Sequence, residues 1–137
     1  MRIAMDSSAL AKRYVLEPGT DRVISICKDA SEIGLCVIAA PELVSVFSRL
    51  RREGRLNANQ YMALKKNLSD DLAQATIIDL TPPVIEKAVI CLEKCPVRTL
   101  DALHIASAVV FYPDLFLTAD HRQGEAAQRL GLVVERV

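Results

Sequence analysis

Short apolar segments alternate with longer helical patterns along the whole chain. The apolar segments are RIAM, IGLCVIA, TIIDL, LFLT and LVVERV, and stretches with helical spacing of apolar residues separate them. The first of these stretches, SSALAKRYVLE, has helical spacing at Leu10, Tyr14 and Val15, and the helix LNANQYMALKKNLSDDLA has Asn57 or Asn59 as a possible N-cap. Strands that are apolar along their length need cover on both faces, which is typical of a parallel sheet between two layers of helices. The pattern therefore predicts a three-layer α/β/α fold with a parallel sheet of roughly five strands.

The length, composition and charge of the chain predict its domain number, its location and the kind of ligand that it can attract. We expect one domain over 1–137, with a core built mainly from aliphatic side chains because only 4% of the residues are aromatic. No apolar run is long enough for a membrane span, and charged residues interrupt any signal-peptide pattern near the N-terminus, so we expect a cytoplasmic protein. The net charge is zero, so a polyanionic ligand would need a local basic patch or a bound cation.

The cysteines favour a structural role. Cys91 and Cys95 are four residues apart, but neither His104 nor His121 completes a recognisable zinc-binding spacing. We expect all the thiols to be reduced and packed in the interior, and these are Cys27, Cys36, Cys91 and Cys95.

Acidic residues follow the apolar segments. Asp6 follows RIAM, Glu42 begins the helix after IGLCVIA, and Asp120 follows LFLT by one residue. Asp101 begins a helix that leads back towards LFLT. Because ligands bind beyond the carboxyl ends of the strands in open parallel sheets, we expect these four carboxylates near one crevice, where they repel one another and raise each other's pKa.

A hard divalent cation would explain such a cluster. Mg²⁺ and Mn²⁺ prefer oxygen ligands, and they combine carboxylates with water and phosphate oxygens. A bound cation lowers the pKa of water and neutralises charge on a phosphodiester, which points to a metal-dependent phosphodiesterase. Asp101 also has a purely structural interpretation, in which Thr99 is the N-cap and Asp101 faces the positive end of the helix dipole.

Several other residues are weaker candidates. His104 shares a helical face with Asp101 and could support the site or simply pack in the interior. His121 lies beside Asp120 and could touch substrate or solvent alone. The basic run of Arg49, Arg51, Arg52 and Arg55 is either an RNA-contacting surface or a solvated helix face.

Four motifs in this order resemble the PIN-domain ribonucleases, in particular the VapC-like toxins of toxin–antitoxin pairs. The motifs are MDSSALAKRYVLE, PELVSVFSRL, RTLDALHIASA and LFLTADHRQGEAAQRLGL, and they span nearly the whole chain. One difference is Pro41, which precedes Glu42 where the family usually has serine. The resemblance implies endonucleolytic cleavage of RNA, a homodimer and an inhibitory antitoxin.

The same resemblance assigns the site residues. Asp6 and Asp101 match most closely and would be direct ligands of Mg²⁺ or Mn²⁺, Glu42 matches the family's helix-borne glutamate, and Asp120 matches a fourth acid that can act through water. Candidates for holding a carboxylate or a metal-bound water are Ser7, Ser8 and Thr118, for which N-capping is the plain alternative.

Three alternatives remain open to different degrees. Asp79 at the end of TIIDL suggests a receiver-like phosphoacceptor, but the expected paired acids and lysine are missing. A phosphatase of the haloacid dehalogenase type would need an acid at position 8, where this chain has Ser8. The stronger alternative is a PIN-like fold with little catalytic activity that binds RNA or protein.

Overall fold

A five-stranded parallel sheet forms the centre of the protein. The computed structural model describes all 137 residues. The strands are β1 (Arg2–Met5), β2 (Glu32–Cys36), β3 (Thr76–Ile78), β4 (Leu115–Thr118) and β5 (Val134–Arg136), in the order β3-β2-β1-β4-β5. All neighbouring strands pair in parallel, which confirms the predicted sheet.

Helices cover both faces of the sheet. Their bounds are α1 (Ser7–Ala11), α2 (Thr20–Asp29), α3 (Ala39–Arg52), α4 (Ala58–Gln74), α5 (Pro82–Lys94), α6 (Thr99–Phe111) and α7 (His121–Arg129). None of these helices combines the length and the apolar character that a membrane crossing requires.

The alternation of side chains along the central strands creates two separate cores. Ile3 and Met5 of β1 and Leu117 of β4 pack with α1 to α4 on one face. Ala4 and Phe116 pack with α5 to α7 on the other. Strands of this kind are buried on both faces, which is why they read as continuous apolar runs. The four cysteines are free and buried, as predicted.

The chain order places a crevice beside β1. The connections from β1 run outward through β2 to β3, and the chain then crosses to the opposite side of β1 to form β4 and β5. Loops that follow β1 and β4 therefore diverge in opposite directions, and such a switch point is where open α/β sheets bind ligands. Asp6 directly follows β1, and Asp120 follows β4 by one residue.

Two predicted helix boundaries are wrong. The N-cap of α6 is Arg98 and not Thr99, which is the first helical residue. The helix after β1 was expected to extend beyond Tyr14, but α1 ends at Ala11. Just beyond this end, Arg13 and Tyr14 both donate to the carboxylate of Asp71 on α4, at 3.2 and 2.6 Å. This tertiary contact leaves no sign in the local sequence pattern.

Candidate functional site

Asp6 lies at the bottom of the candidate site, where β1 ends. It is the N-cap of α1, and its Oδ1 accepts hydrogen bonds from the Ala9 N–H at 2.9 Å and from the Ser8 hydroxyl at 2.6 Å. The hydroxyl of Thr118 donates to Oδ2. Only 1% of Asp6 is exposed. Both carboxylate oxygens are therefore held by neutral donors, and no lysine or arginine forms an ion pair with this buried acid.

Burial sets the protonation behaviour of Asp6. Loss of solvent raises the pKa of Asp6, and the hydrogen bonds from Ser8, Thr118 and Ala9 only partly offset that effect. The expected cause was repulsion among neighbouring acids, so this part of the sequence interpretation is wrong. The ionised form of Asp6 is destabilised by its surroundings, and a nearby cation would reverse that balance.

Glu42 belongs to a second hydrogen-bonded group with Ser7 and His104. The carboxylate of Glu42 contacts the Nε2 atom of His104, and the hydroxyl of Ser7 donates to the same oxygen at 2.8 Å. Burial by itself would raise the pKa of Glu42, but the contact with His104 and the bond from Ser7 outweigh it and leave the pKa below its usual value. The expectation of a raised pKa is wrong for Glu42 as well.

His104 is buried beside the Glu42 group and makes polar contacts there. It is 4% exposed, and its Nδ1 atom is buried without a hydrogen-bond partner. Its Nε2 also lies 3.1 Å from the Ser7 hydroxyl. Because Ser7 and Ser8 are adjacent in α1, the start of that helix joins the Glu42 group to the Asp6 group.

Asp120 and Thr118 extend the Asp6 group along the loop after β4. The backbone N–H of Asp120 donates to the Thr118 hydroxyl at 3.0 Å, and the N–H of Ala119 donates to the Ser8 hydroxyl at 2.9 Å. The Asp120 side chain is exposed and caps α7 by accepting from the N–H of Gln123 at 2.9 Å. Asp120 thus joins the network through its backbone, while its carboxylate serves its own helix.

Asp101 also binds its own helix start. It is half-buried, and its carboxylate accepts the N–H of Arg98 at 3.3 Å. This geometry supports a capping function, though with Arg98 in place of Thr99 as the N-cap. Its backbone carbonyl accepts a hydrogen bond from the side chain of Gln123 at 3.2 Å.

Gln123 was not identified from the sequence. It is 3% exposed, and it joins the start of α6 to the start of α7 through Asp101 and Asp120. Its position three residues after the N-cap Asp120 was the available signal, but the contact with Asp101 depends on how the two helices pack.

The carboxylates do not converge into a ready metal cage. No group of three or more histidine, cysteine, aspartate or glutamate side chains is close enough to hold a metal ion in this arrangement. The reason is visible in their partners, because Asp101 and Asp120 cap helices and Glu42 contacts His104. The donor atoms available at this edge are still carboxylate and hydroxyl oxygens, which suit Mg²⁺ or Mn²⁺. Three carboxylates would share an ion only if side chains left their present partners.

The remaining candidates lie outside this network. His121 is exposed and contacts Arg136 and Glu125. Within the basic run, Arg49 and Arg55 both pair with Glu53 at 3.9 and 3.8 Å. Arg51 lies over the ring of Tyr61 on α4, 5.5 Å from its centroid.

The fold resembles that of several solved proteins. Over 98% of this chain and 99% of that chain, it superposes on Mycobacterium tuberculosis VapC20, a sarcin-ricin-loop-cleaving toxin, with a TM-score of 0.71 and 14% identity. DNA-bound VapBC from Salmonella typhimurium gives a TM-score of 0.73, 12% identity and coverages of 99% and 98%. FitAcB from Neisseria gonorrhoeae gives a TM-score of 0.70 and 17% identity, over 96% of this chain and 95% of that chain.

Sequence comparison leads to the same family. No curated protein sequence is significantly similar to the chain. The family model of the PIN domain matches residues 3–128, which include every acid of the candidate site. The five-stranded parallel sheet, the acids beyond β1 and β4 and this match agree, and the chain belongs to the PIN domain family.

Proposed function

We propose that the protein is a metal-dependent endoribonuclease and the toxin of a toxin–antitoxin pair. The observation that carries this proposal is Asp6, a buried carboxylate held by two hydroxyls at the switch point of the sheet, with no cationic side chain paired to it. Burying an unpaired ion is costly, so a fold that retains one there has a use for its charge.

Each acid has a separate part in this proposal. Asp6 and Asp101 would hold Mg²⁺ or Mn²⁺ directly, Glu42 would exchange His104 for the ion, and Asp120 would act directly or through water. When bound, the ion supplies charge neutralisation at a phosphodiester and activation of water. Ser8 and Thr118 fix the direction of the Asp6 carboxylate, and Ser7 and His104 hold Glu42.

RNA cleavage by the purified protein tests the proposal. We expect total RNA to be cut in Mg²⁺ or Mn²⁺ and to remain intact in excess EDTA. Asp101→Asn should lose roughly 100-fold or more of the rate, because outer-shell partners alone cost 10–100-fold. Asp114→Asn is the matched control, since Asp114 precedes β4 at the opposite edge of the sheet and binds the Arg2 N–H. Cleavage that survives EDTA, or that is equal in Asp101→Asn and wild type, would refute the assignment.

The alternative function is a PIN-like module that binds RNA or protein with little turnover. Its distinguishing outcome is RNA binding by wild type with no metal-dependent cleavage above that of Asp101→Asn. Two features of the present side-chain arrangement favour this alternative. Asp6, Asp101 and Asp120 all accept hydrogen bonds at helix starts, and no three acids are close enough to hold a metal ion.

The partner proposals rest on the related structures. The neighbours include a toxin–antitoxin complex from Klebsiella pneumoniae, with a TM-score of 0.64. We therefore propose an antitoxin encoded next to this protein, and co-expression of the neighbouring reading frame should suppress cleavage. RNA as the substrate also implies action in the cytoplasm.

We further propose a homodimer. Exposed apolar side chains on α5 and at the start of α6 support self-association, and they are Ile85, Val89, Leu92 and Leu100. Light scattering on the purified protein should give twice the chain mass, and a monomer at all concentrations would contradict the proposal.

A further inference from the structure

Arg136 lies at the end of β5, beside Thr118, whose hydroxyl donates to Asp6. It is the last residue of β5, and it pairs in parallel register with Thr118, the last residue of β4. Registered residues of parallel neighbours point to the same face of a sheet. The Arg136 side chain therefore emerges on the Thr118 side, at the carboxyl edge where the acids lie.

A glycine in α7 makes room for this arginine. A Cβ atom added to Gly124 would lie 3.2 Å from Nε of Arg136, 3.4 Å from Cγ2 of Thr118 and 3.6 Å from Cγ1 of Val134. The guanidinium thus crosses the helix at the one position of α7 that has no side chain. Glycine is a poor helix former in a helix interior, so its presence here agrees with a requirement for space.

The guanidinium is held in place but is not neutralised. Its Nη1 lies 2.6 Å from Nδ1 of His121. Arginine stays protonated, so Nδ1 of His121 accepts, and the ring proton lies on Nε2, which is 3.0 Å from Glu125. No carboxylate is within ion-pair distance of Arg136, and most of its five N–H donors have no partner in the protein.

We propose that Arg136 binds a phosphate of the RNA backbone at the entrance to the acidic site, an inference that rests on the proposed nuclease function. The acids repel a polyanion, and a fixed guanidinium beside them offsets that repulsion and binds phosphate through two parallel hydrogen bonds. His121 is a positioning residue in this arrangement, and Gly124 supplies the space.

RNA binding without metal separates this inference from catalysis. The probe is a fluorescein-labelled single-stranded RNA of about 20 nucleotides and mixed sequence, measured by anisotropy in EDTA between 50 and 200 mM salt. We expect Arg136→Gln to bind roughly tenfold more weakly, as for the loss of a hydrogen bond to a charged group. The slope of log K against log salt should fall by about 0.7, the value for one phosphate contact on a single strand.

Lys87→Gln is the matched charge control. Lys87 is exposed on α5 and has no side-chain partner, so this variant also loses one positive charge. It should bind RNA as wild type does. In the cleavage reaction Arg136→Gln should raise KM with little change in kcat, because a remote phosphate is bound equally in the ground and transition states.

Gly124→Ala tests the geometry in a chain that keeps Arg136. Alanine improves the helix, so the melting temperature should equal or exceed that of wild type, whereas RNA affinity should fall because the new methyl group displaces the guanidinium. The double variant Gly124→Ala/Arg136→Gln should bind no more weakly than Arg136→Gln alone.

The outcomes distinguish the two proposals. If wild type binds and cleaves RNA while Arg136→Gln matches it in affinity and salt slope, the inference fails and the nuclease function stands. If wild type neither binds nor cleaves RNA, both fail. Equal losses in Lys87→Gln and Arg136→Gln would also overturn the inference, because they would indicate a general charge effect.

Discussion

Replacing Asp6 with asparagine should separate metal binding from folding. The two side chains have nearly the same shape, so the asparagine retains one oxygen for the two bonds that Asp6 Oδ1 accepts from Ala9 and Ser8. The new amide nitrogen then faces the hydroxyl of Thr118, which must accept instead of donate. One hydrogen bond is rearranged, and one buried charge is removed.

The two effects oppose each other in the metal-free protein. Weakening a single hydrogen bond costs about 1 kcal/mol, while removal of the charge relieves the burial that raises the pKa of Asp6. We expect Asp6→Asn to be as stable as wild type or more stable at neutral pH. The gain should disappear as the pH falls below about 4, because Asp6 is then protonated in both the folded and the unfolded chain.

Bound metal should stabilise wild type much more than it stabilises Asp6→Asn. Mg²⁺ or Mn²⁺ at a hundredfold excess over Kd stabilises a one-site protein by about 2.7 kcal/mol. At about 4 °C per kcal/mol for a domain of this size, wild type should melt about 10 °C higher with metal. Asp6→Asn should show little of this shift.

Thermal unfolding followed by circular dichroism, with and without MnCl₂, measures these differences. Asp114→Asn is the control, because it removes a carboxylate at the other edge of the sheet and should keep the full metal shift. Equal metal shifts in Asp6→Asn and wild type would refute Asp6 as a ligand. A metal-free loss above about 3 kcal/mol would show that its hydrogen bonds serve mainly the fold.

Two further perturbations test the contact of Glu42 with His104 and the packing of α6 on β2. The pKa of Glu42 is lowered, so its contact with His104 stabilises the fold above the unfolded pKa of about 4.3, and this stabilisation is lost as the pH falls through the lower folded pKa. In urea titrations, metal-free wild type should therefore lose stability below pH 5 more steeply than Glu42→Gln. Parallel curves for the two proteins would contradict the pairing. Gly34→Ala should lower the free energy of unfolding by about 1–3 kcal/mol in the same urea titrations, because its Cβ would lie 2.7 Å from the ring of Phe111. Unchanged stability would show that the ring moves freely.

Local sequence patterns predicted much of the fold because strand burial and helix capping depend on residues that are close together in the chain. Strands buried on both faces must be apolar, so RIAM and LFLT were recognisable as β1 and β4. Asn57 was a candidate cap and does cap α4, with Gln60 returning a bond to its N–H. Polar side chains beyond the strands also had predictable positions, since parallel strands end at one edge.

Two local predictions of helix boundaries failed. The N-cap of α6 is Arg98 rather than Thr99, and α1 ends at Ala11, just before Arg13 and Tyr14 bind the distant Asp71. Sequence spacing could not indicate these competing partners, because Asp71 is 57 or more residues away in the chain.

The sequence by itself determined the α/β class, the parallel sheet and the acids that follow its strands, because strand burial and helix periodicity are properties of neighbouring residues. Only the tertiary structure decided in which direction the pKa values of Asp6 and Glu42 shift, because it sets their burial and brings distant partners to them. Glu42 and His104 are 62 residues apart, and Thr118 reaches Asp6 across 112 residues. Desolvation and hydrogen bonding depend on these distant contacts, which exist only after the chain has crossed from β3 to the far side of β1.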